Sequence, residues 1–247
     1  TFVERRIKSL LVPYFWYNLF YMGVTILIAK LTGKFWGMPL SFKNFFVTPF
    51  LNGHQFDLSC PLWFVTQLFM TMITFLFLFR ALNAVTKNKY VHLAFFTVLG
   101  VLAIPFQKLF AVTPVMLVVI RTMFSMFFVY LGYFYTHFIK DNYNIFTPKW
   151  FGAVFVLQSI LWMFNRDYDP SHGIGLSYVL VWARFDDQLF VPVITSLTGI
   201  WASLFVVKIL YPYVKDIKFI QDMGRVTYHI MANHLLVMYM MTVIFLW

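Results

Sequence analysis

Few residues of this chain can do chemistry, and most of those lie inside long apolar runs. Arg121 is the clearest case, a lone cation between Leu109 and Ile139. An arginine inside a membrane-crossing helix costs at least about 2.5 kcal/mol, so it should face other helices or water. At 100° per residue, Ser125, Gly132 and Thr136 lie within roughly 60° of it, which predicts one polar, small-residue face. Such an arginine either bonds between helices, snorkels to the outer surface, or offers its planar fork to a phosphate or carboxylate. Asn233 and His234 lie within the last apolar run, with His229 one turn before Asn233. They read as interhelical hydrogen bonders or, for His234, as a general base, since unperturbed imidazole titrates near pH 6.5. Trp36 and Trp63 read as interfacial belt residues rather than substrate platforms. Gly199 and Ser203, four apart, read as a close-packing seam.

The motifs that are missing narrow the chemistry further. The chain has no Gly-x-Ser-x-Gly elbow, P-loop, Rossmann glycine set, Cys-x-x-Cys or His-Glu-x-x-His, and no metal is expected. His137 and Asp141 lack the His-x4-Asp spacing of glycerolipid acyltransferases. Cys60 is the only cysteine, so no disulfide can form within the chain.

The elements that position these residues are set by hydropathy. Cys60 to Phe79 holds twenty residues without a charge, and twenty helical residues cover roughly 30 Å, the thickness of a bilayer core. Of the 247 residues 61% are hydrophobic and 11% charged, against about 25% charged in soluble domains. Mean hydropathy is +0.76. The expected fold is all-α, a polytopic transmembrane helix bundle of about seven spans. Their bounds are Ser9–Ala29, Cys60–Phe79, Val91–Gln107, a span within Leu109–Ile139, Trp150–Phe164, Gln188–Val207 and Val226 to the end. Pro13 falls in the first turn of the first span, where a missing N–H costs little. A long aromatic loop from Lys30 to Ser59 carries His54 and Asp57, and a polar loop from Asn165 to Asp187 carries Asp167, Asp169, His172 and Asp186. No repeat or linker argues for a second domain, so residues 1–247 are taken as one domain.

A net charge of +10 does not point to nucleic acid, because the basic residues sit in short loops with no base-stacking aromatics among them. It fixes topology instead. With Thr1–Lys8 in the cytoplasm and seven spans, twelve lysines and arginines fall inside and six outside. Neither end reads as natural. The chain starts at Thr1 without a signal peptide and stops at Trp247 within an apolar run, so it is expected to be part of a longer protein.

Three segments together resemble the integral membrane acyltransferase 3 family, in its sugar O-acetylase (fucose 4-O-acetylase-like) branch. They are Arg5-Arg6-Ile7-Lys8-Ser9-Leu10-Leu11-Val12-Pro13-Tyr14, Pro61-Leu62-Trp63-Phe64-Val65 and Gly224-Arg225-Val226-Thr227-Tyr228-His229-Ile230-Met231-Ala232-Asn233-His234. Tyr130-Leu131-Gly132-Tyr133 fits more weakly. The resemblance implies a domain of about ten spans, of which the first ones, with the proton-accepting histidine, would lie upstream of residue 1. His234 is the one weak catalytic candidate within the chain. The family's Arg-x-x-Arg element is matched imperfectly, since Ser9 stands three residues after Arg6 with Lys8 beside it.

The resemblance further implies transfer of an acetyl group from acetyl-CoA to a carbohydrate hydroxyl of a cell-surface or lipid-linked glycan. Arg5, Arg6 and Lys8 would hold the donor's phosphates, and Trp63, Arg121, Asn233 and His234 would hold the acceptor. The implied setting is among the lipids of a bacterial cytoplasmic (inner) membrane. A transporter or flippase for a lipid-linked sugar, or a glycan polymerase, would share the polar interior.

Overall fold

A computed structural model describes residues 1–110, 113–141, 143–164, 168–169, 173–174, 180–183, 185 and 191–245. The chain is helical nearly throughout. Helix α1, Phe2–Thr32, opens on a capping box in which Thr1 accepts from the Glu4 N–H. It ends at Gly33, whose φ of 72° lets it cap the helix in the left-handed region. The helix starts seven residues before the expected Ser9, so Pro13 lies in its interior rather than its first turn. A proline ring there clashes with the carbonyl four residues back, and the chain absorbs this in a π-helical turn at Ile7–Leu11.

Two short helices, α2 (Phe42–Phe46) and α3 (Thr48–Asn52), follow in the aromatic loop. Helix α4, Asp57–Val85, begins as a 3₁₀ segment holding Pro61 and becomes α-helical at Trp63. Then come α5 (Lys89–Leu109), capped by the Asn88 side chain, and α6 (Pro114–Ile139), whose last turn widens at Tyr135–Ile139. Helix α7 is Pro148–Phe164. Two-residue strands β1 (Tyr168–Asp169) and β2 (Gly173–Ile174) pair antiparallel. Helix α8 is Val191–Val214, α9 is Lys218–Arg225 and α10 is Thr227–Phe245.

Among the described residues, five helices are long and apolar enough to cross a membrane: α1, α4, α5, α6 and α8. The chain is accordingly read as a multi-pass membrane protein. The expected Trp150–Phe164 span corresponds to α7, an apolar helix of 17 residues, and the expected last span to α10, of 19 residues. Asp167, His172 and Asp186 lie outside the described residues. Large apolar side chains on the outside of the spans, such as Trp16 at 68% and Phe77 at 63% exposure, suit a lipid surround.

The chain divides into two compact units, residues 1–80, 113–122 and 222–247 in one, and 81–112 and 123–221 in the other. The first has a core of Tyr14, Leu62, Val65 and Ala232, and beside it a cluster of Tyr21, Phe56 and Leu58. In the second, Phe96 stacks on Tyr130 at 5.0 Å and Phe151 on Phe205 at 4.7 Å. There α5 and α6 come so close that a Cβ on Gly100 would lie 2.6 Å from Phe127 Cβ. Helix α7 contacts α8 through the Thr198 hydroxyl, which bonds Gln158 Oε1. The Gly199–Ser203 seam does not form. Among the described residues, nothing beyond the helix's own backbone lies within 4 Å of a Cβ built on Gly199, and the Ser203 hydroxyl folds back to the Gly199 carbonyl.

Candidate functional site

The polar side chains of the first unit gather from helices that are apolar on their other faces. Helix α1 buries Tyr14, Asn18, Tyr21 and Thr25, spaced four, three and four residues apart, so one stripe of the span carries its hydrogen-bonding groups inward. Helix α4 buries Val65, Thr66, Gln67 and Thr71. These two stripes frame the site.

Arg121 is 1% exposed, and its guanidinium carbon sits 4.9 Å from the centre of the Trp63 ring. A delocalised cation over an indole face is attracted by the ring quadrupole, by about 2 kcal/mol or more when desolvated. Trp63 is therefore a seat for Arg121 rather than a residue of the lipid–water belt. Beside it, Gln67 Nε2 donates to Thr122 Oγ1 at 2.9 Å and to Thr71 Oγ1 at 3.4 Å. The expected face of Arg121 is corrected at its far end. Ser125 is half-buried, but Gly132 and Thr136 are exposed, and the Thr136 hydroxyl bonds its own helix at the Gly132 carbonyl. Trp63 of α4 lies against the Arg121 guanidinium, and Gln67 of the same helix bonds Thr122 next to it in sequence.

The loop before α4 closes over this region. Gly53, with φ of 94°, packs where any Cβ would overlap the Trp63 side chain. His54 is affected electrostatically by both Asp57 and Arg121. Burial pushes its imidazole below the usual 6.5, Arg121 adds to the lowering, and Asp57 opposes it. Its Nδ1 is buried without a hydrogen-bond partner. Gln55, 1% exposed, accepts from Asn18 Nδ2 at 3.4 Å. Gln55 Nε2, Asn18 Oδ1, Thr25 Oγ1 and Tyr14 OH are likewise buried and unpartnered. Orphaned groups of this kind cost about 1–3 kcal/mol each.

A second polar network joins α1 to α10. Asn233 Nδ2 donates to the His229 carbonyl at 2.8 Å, which fixes the amide's orientation. The same Nδ2 donates to Tyr17 OH at 3.2 Å, and Asn233 Oδ1 accepts from Tyr21 OH at 3.3 Å. The Tyr17 hydroxyl also pairs with His229 Nδ1, 2.5 Å away. His234 bonds its own helix instead. Its Nδ1 donates to the Met231 carbonyl at 2.8 Å, leaving the Nε2 lone pair outward as a base. The imidazole of His234 is exposed on α10, whereas Asn233 packs inward as expected.

The expected donor cations stand apart from this interior. Lys8 is paired with Glu4 at 2.8 Å and Arg6 lies 5.0 Å from the Phe2 ring centre; Arg5 and Lys8 are exposed. Chemically, the unit offers a buried cation, a hydroxyl- and amide-lined interior, one imidazole paired with a phenol and one exposed imidazole. Compared with protein-family models, with curated proteins and with solved structures, the chain matches none.

Proposed function

We propose that this chain belongs to a membrane-embedded O-acyltransferase that moves an acetyl group from acetyl-CoA to a carbohydrate hydroxyl. One observation carries the reading. The three segments behind the resemblance to acyltransferase 3 enzymes lie more than 150 residues apart at their extremes. Yet Tyr14 of the first, Leu62 and Val65 of the second and Ala232 of the third form one buried core. Short similarities that meet in space are better explained by a shared site than by three coincidences.

The interior supports the acceptor class. Sugar hydroxyls both donate and accept, and the orphaned Asn18 Oδ1, Gln55 Nε2 and Thr25 Oγ1 present both kinds of partner. In this reading Arg5, Arg6 and Lys8 hold the donor's phosphates at the cytoplasmic face of a bacterial inner membrane. Arg121 and Trp63 orient the acceptor. With its proton on Nε2, the His229 imidazole is a candidate donor to the oxygen that becomes negative when the thioester is attacked. The seven-span topology, with α7 and α10 as the further two spans, belongs to the same proposal.

Membranes carrying the protein as its gene encodes it should incorporate label from acetyl-radiolabelled acetyl-CoA into glycan, released by mild alkali as an O-ester would be. Arg121→Lys should abolish the incorporation at unchanged expression, because a point charge cannot reproduce a planar fork. Movement of a lipid-linked sugar across the membrane, with no acetyl-CoA dependence, would overturn the assignment.

A further inference from the structure

We propose that the second unit holds a separate binding site for an anionic, phosphate-bearing ligand, in the cavity where the 140–147 loop meets the C-terminal ends of α6 and α8. The cavity measures about 830 Å³, a volume typical of small-molecule sites. It holds whether or not the chain transfers acyl groups.

The chemistry of the walls selects the ligand. Lys208 Nζ donates to Asn144 Oδ1 at 3.0 Å and to the Phe146 carbonyl at 3.1 Å, with the Phe146 ring centre 5.8 Å away. These contacts aim the ammonium at the cavity, and a third N–H remains to it. Lys140 stands on the same rim, and among the described residues of the lining Asp141 is the one carboxylate, so two cations face one anion. Tyr135, Tyr143 and Tyr211 add phenol donors and ring faces. Leu204 and Val207 supply an apolar wall. Lysine acts toward phosphate as a point charge, needing no planar match. A phosphate gives both ammonium groups an oxygen, and the aromatic and aliphatic wall takes what is attached to it, either a planar base or an acyl chain. Two sources share this chemistry, a soluble nucleotide and an anionic lipid headgroup.

The test uses the whole purified chain and two probes. Adenosine 3′,5′-bisphosphate, in equilibrium dialysis against adenosine, represents the soluble source. Phosphatidylglycerol, scored against phosphatidylcholine by native mass spectrometry, represents the lipid. At least one probe should be retained over its reference. Lys140→Gln and Lys208→Gln should each weaken it about fivefold, the effect of one cation near an anionic group. Lys208→Arg should keep binding, and Lys140→Gln, at an exposed position, tests the site even if Lys208→Gln does not fold. Retention of the bisphosphate alone identifies a soluble ligand, and retention of the lipid alone a headgroup. The proposal is overturned if neither probe is preferred, or if both glutamine variants bind as the native chain does.

Discussion

Arg121 sets what can be changed nearby. Its charge is accommodated by the Trp63 face, so Trp63→Leu should destabilise the protein by about 2 kcal/mol in thermal unfolding in detergent. Trp63→Phe, which keeps a weaker ring, should cost less; equal costs would mean that packing alone holds the arginine. His54 makes stability depend on pH. Its imidazole titrates below the usual 6.5 because it is buried, so the unfolded chain binds the proton more readily than the folded one. Stability is then full above about pH 6.5 and falls as pH drops through the folded value. His54→Gln should flatten the profile in that window, and an unchanged acid limb would show that other groups set it. His234 answers a question of mechanism. If it positions the acceptor, as its place in the late segment implies, His234→Ala should lower kcat less than tenfold. A loss of about 10²–10⁴-fold would make it the general base.

Helix packing turns on glycines and on inward polar stripes, and the two differ in how plainly the sequence announces them. Arg121 stands out in the sequence because one charge in an apolar run must face other helices or water rather than lipid. Its partner does not, since Trp63 lies 58 residues earlier and helical periodicity relates residues only within one helix. The same limit placed Gly132 and Thr136 on a working face, whereas at that level the helix packs through Phe134 and Tyr135 and leaves Gly132 and Thr136 exposed. The stripe of Tyr14, Asn18, Tyr21 and Thr25 was readable in principle, as polar groups at helical spacing in a span. It is masked by the mostly apolar residues between them and by Tyr17, whose hydroxyl serves a different contact. The contact of Tyr17 with His229 joins positions 212 apart, and nothing local foretells it. Gly100 gives the element-scale prediction. Its Cβ would meet Phe127 Cβ at 2.6 Å, an atom fixed to the α6 backbone that no change of rotamer moves. Gly100→Ala should therefore destabilise by about 1–3 kcal/mol, and adding Phe127→Ala, which keeps that Cβ, should not restore the loss. Full rescue by the double variant would show that the ring, not the backbone approach, sets the spacing.

At the scale of the whole molecule the testable quantity is sidedness, because lysines and arginines in short loops are retained on the cytoplasmic side. Arg80 lies in the last turns of α4, and Lys87 falls between α4 and α5. Lys215 follows α8 directly, with the exposed α9 between it and α10. The aromatic loop between α1 and α4 carries His54 and, under the same rule, is expected to be external. Position 215 shares the side of position 87 only if α7 crosses, so labelling also tests that span. In a Cys60→Ser background, single cysteines at positions 87 and 215 should resist a membrane-impermeant maleimide in intact cells and react after lysis, whereas a cysteine at Lys34 should react in both. If α7 does not cross, position 215 moves to the external side while 87 stays inside, and the chain has one span fewer. Labelling of position 87 from outside would reverse the orientation of the protein and, with it, the cytoplasmic placement of Arg5, Arg6 and Lys8.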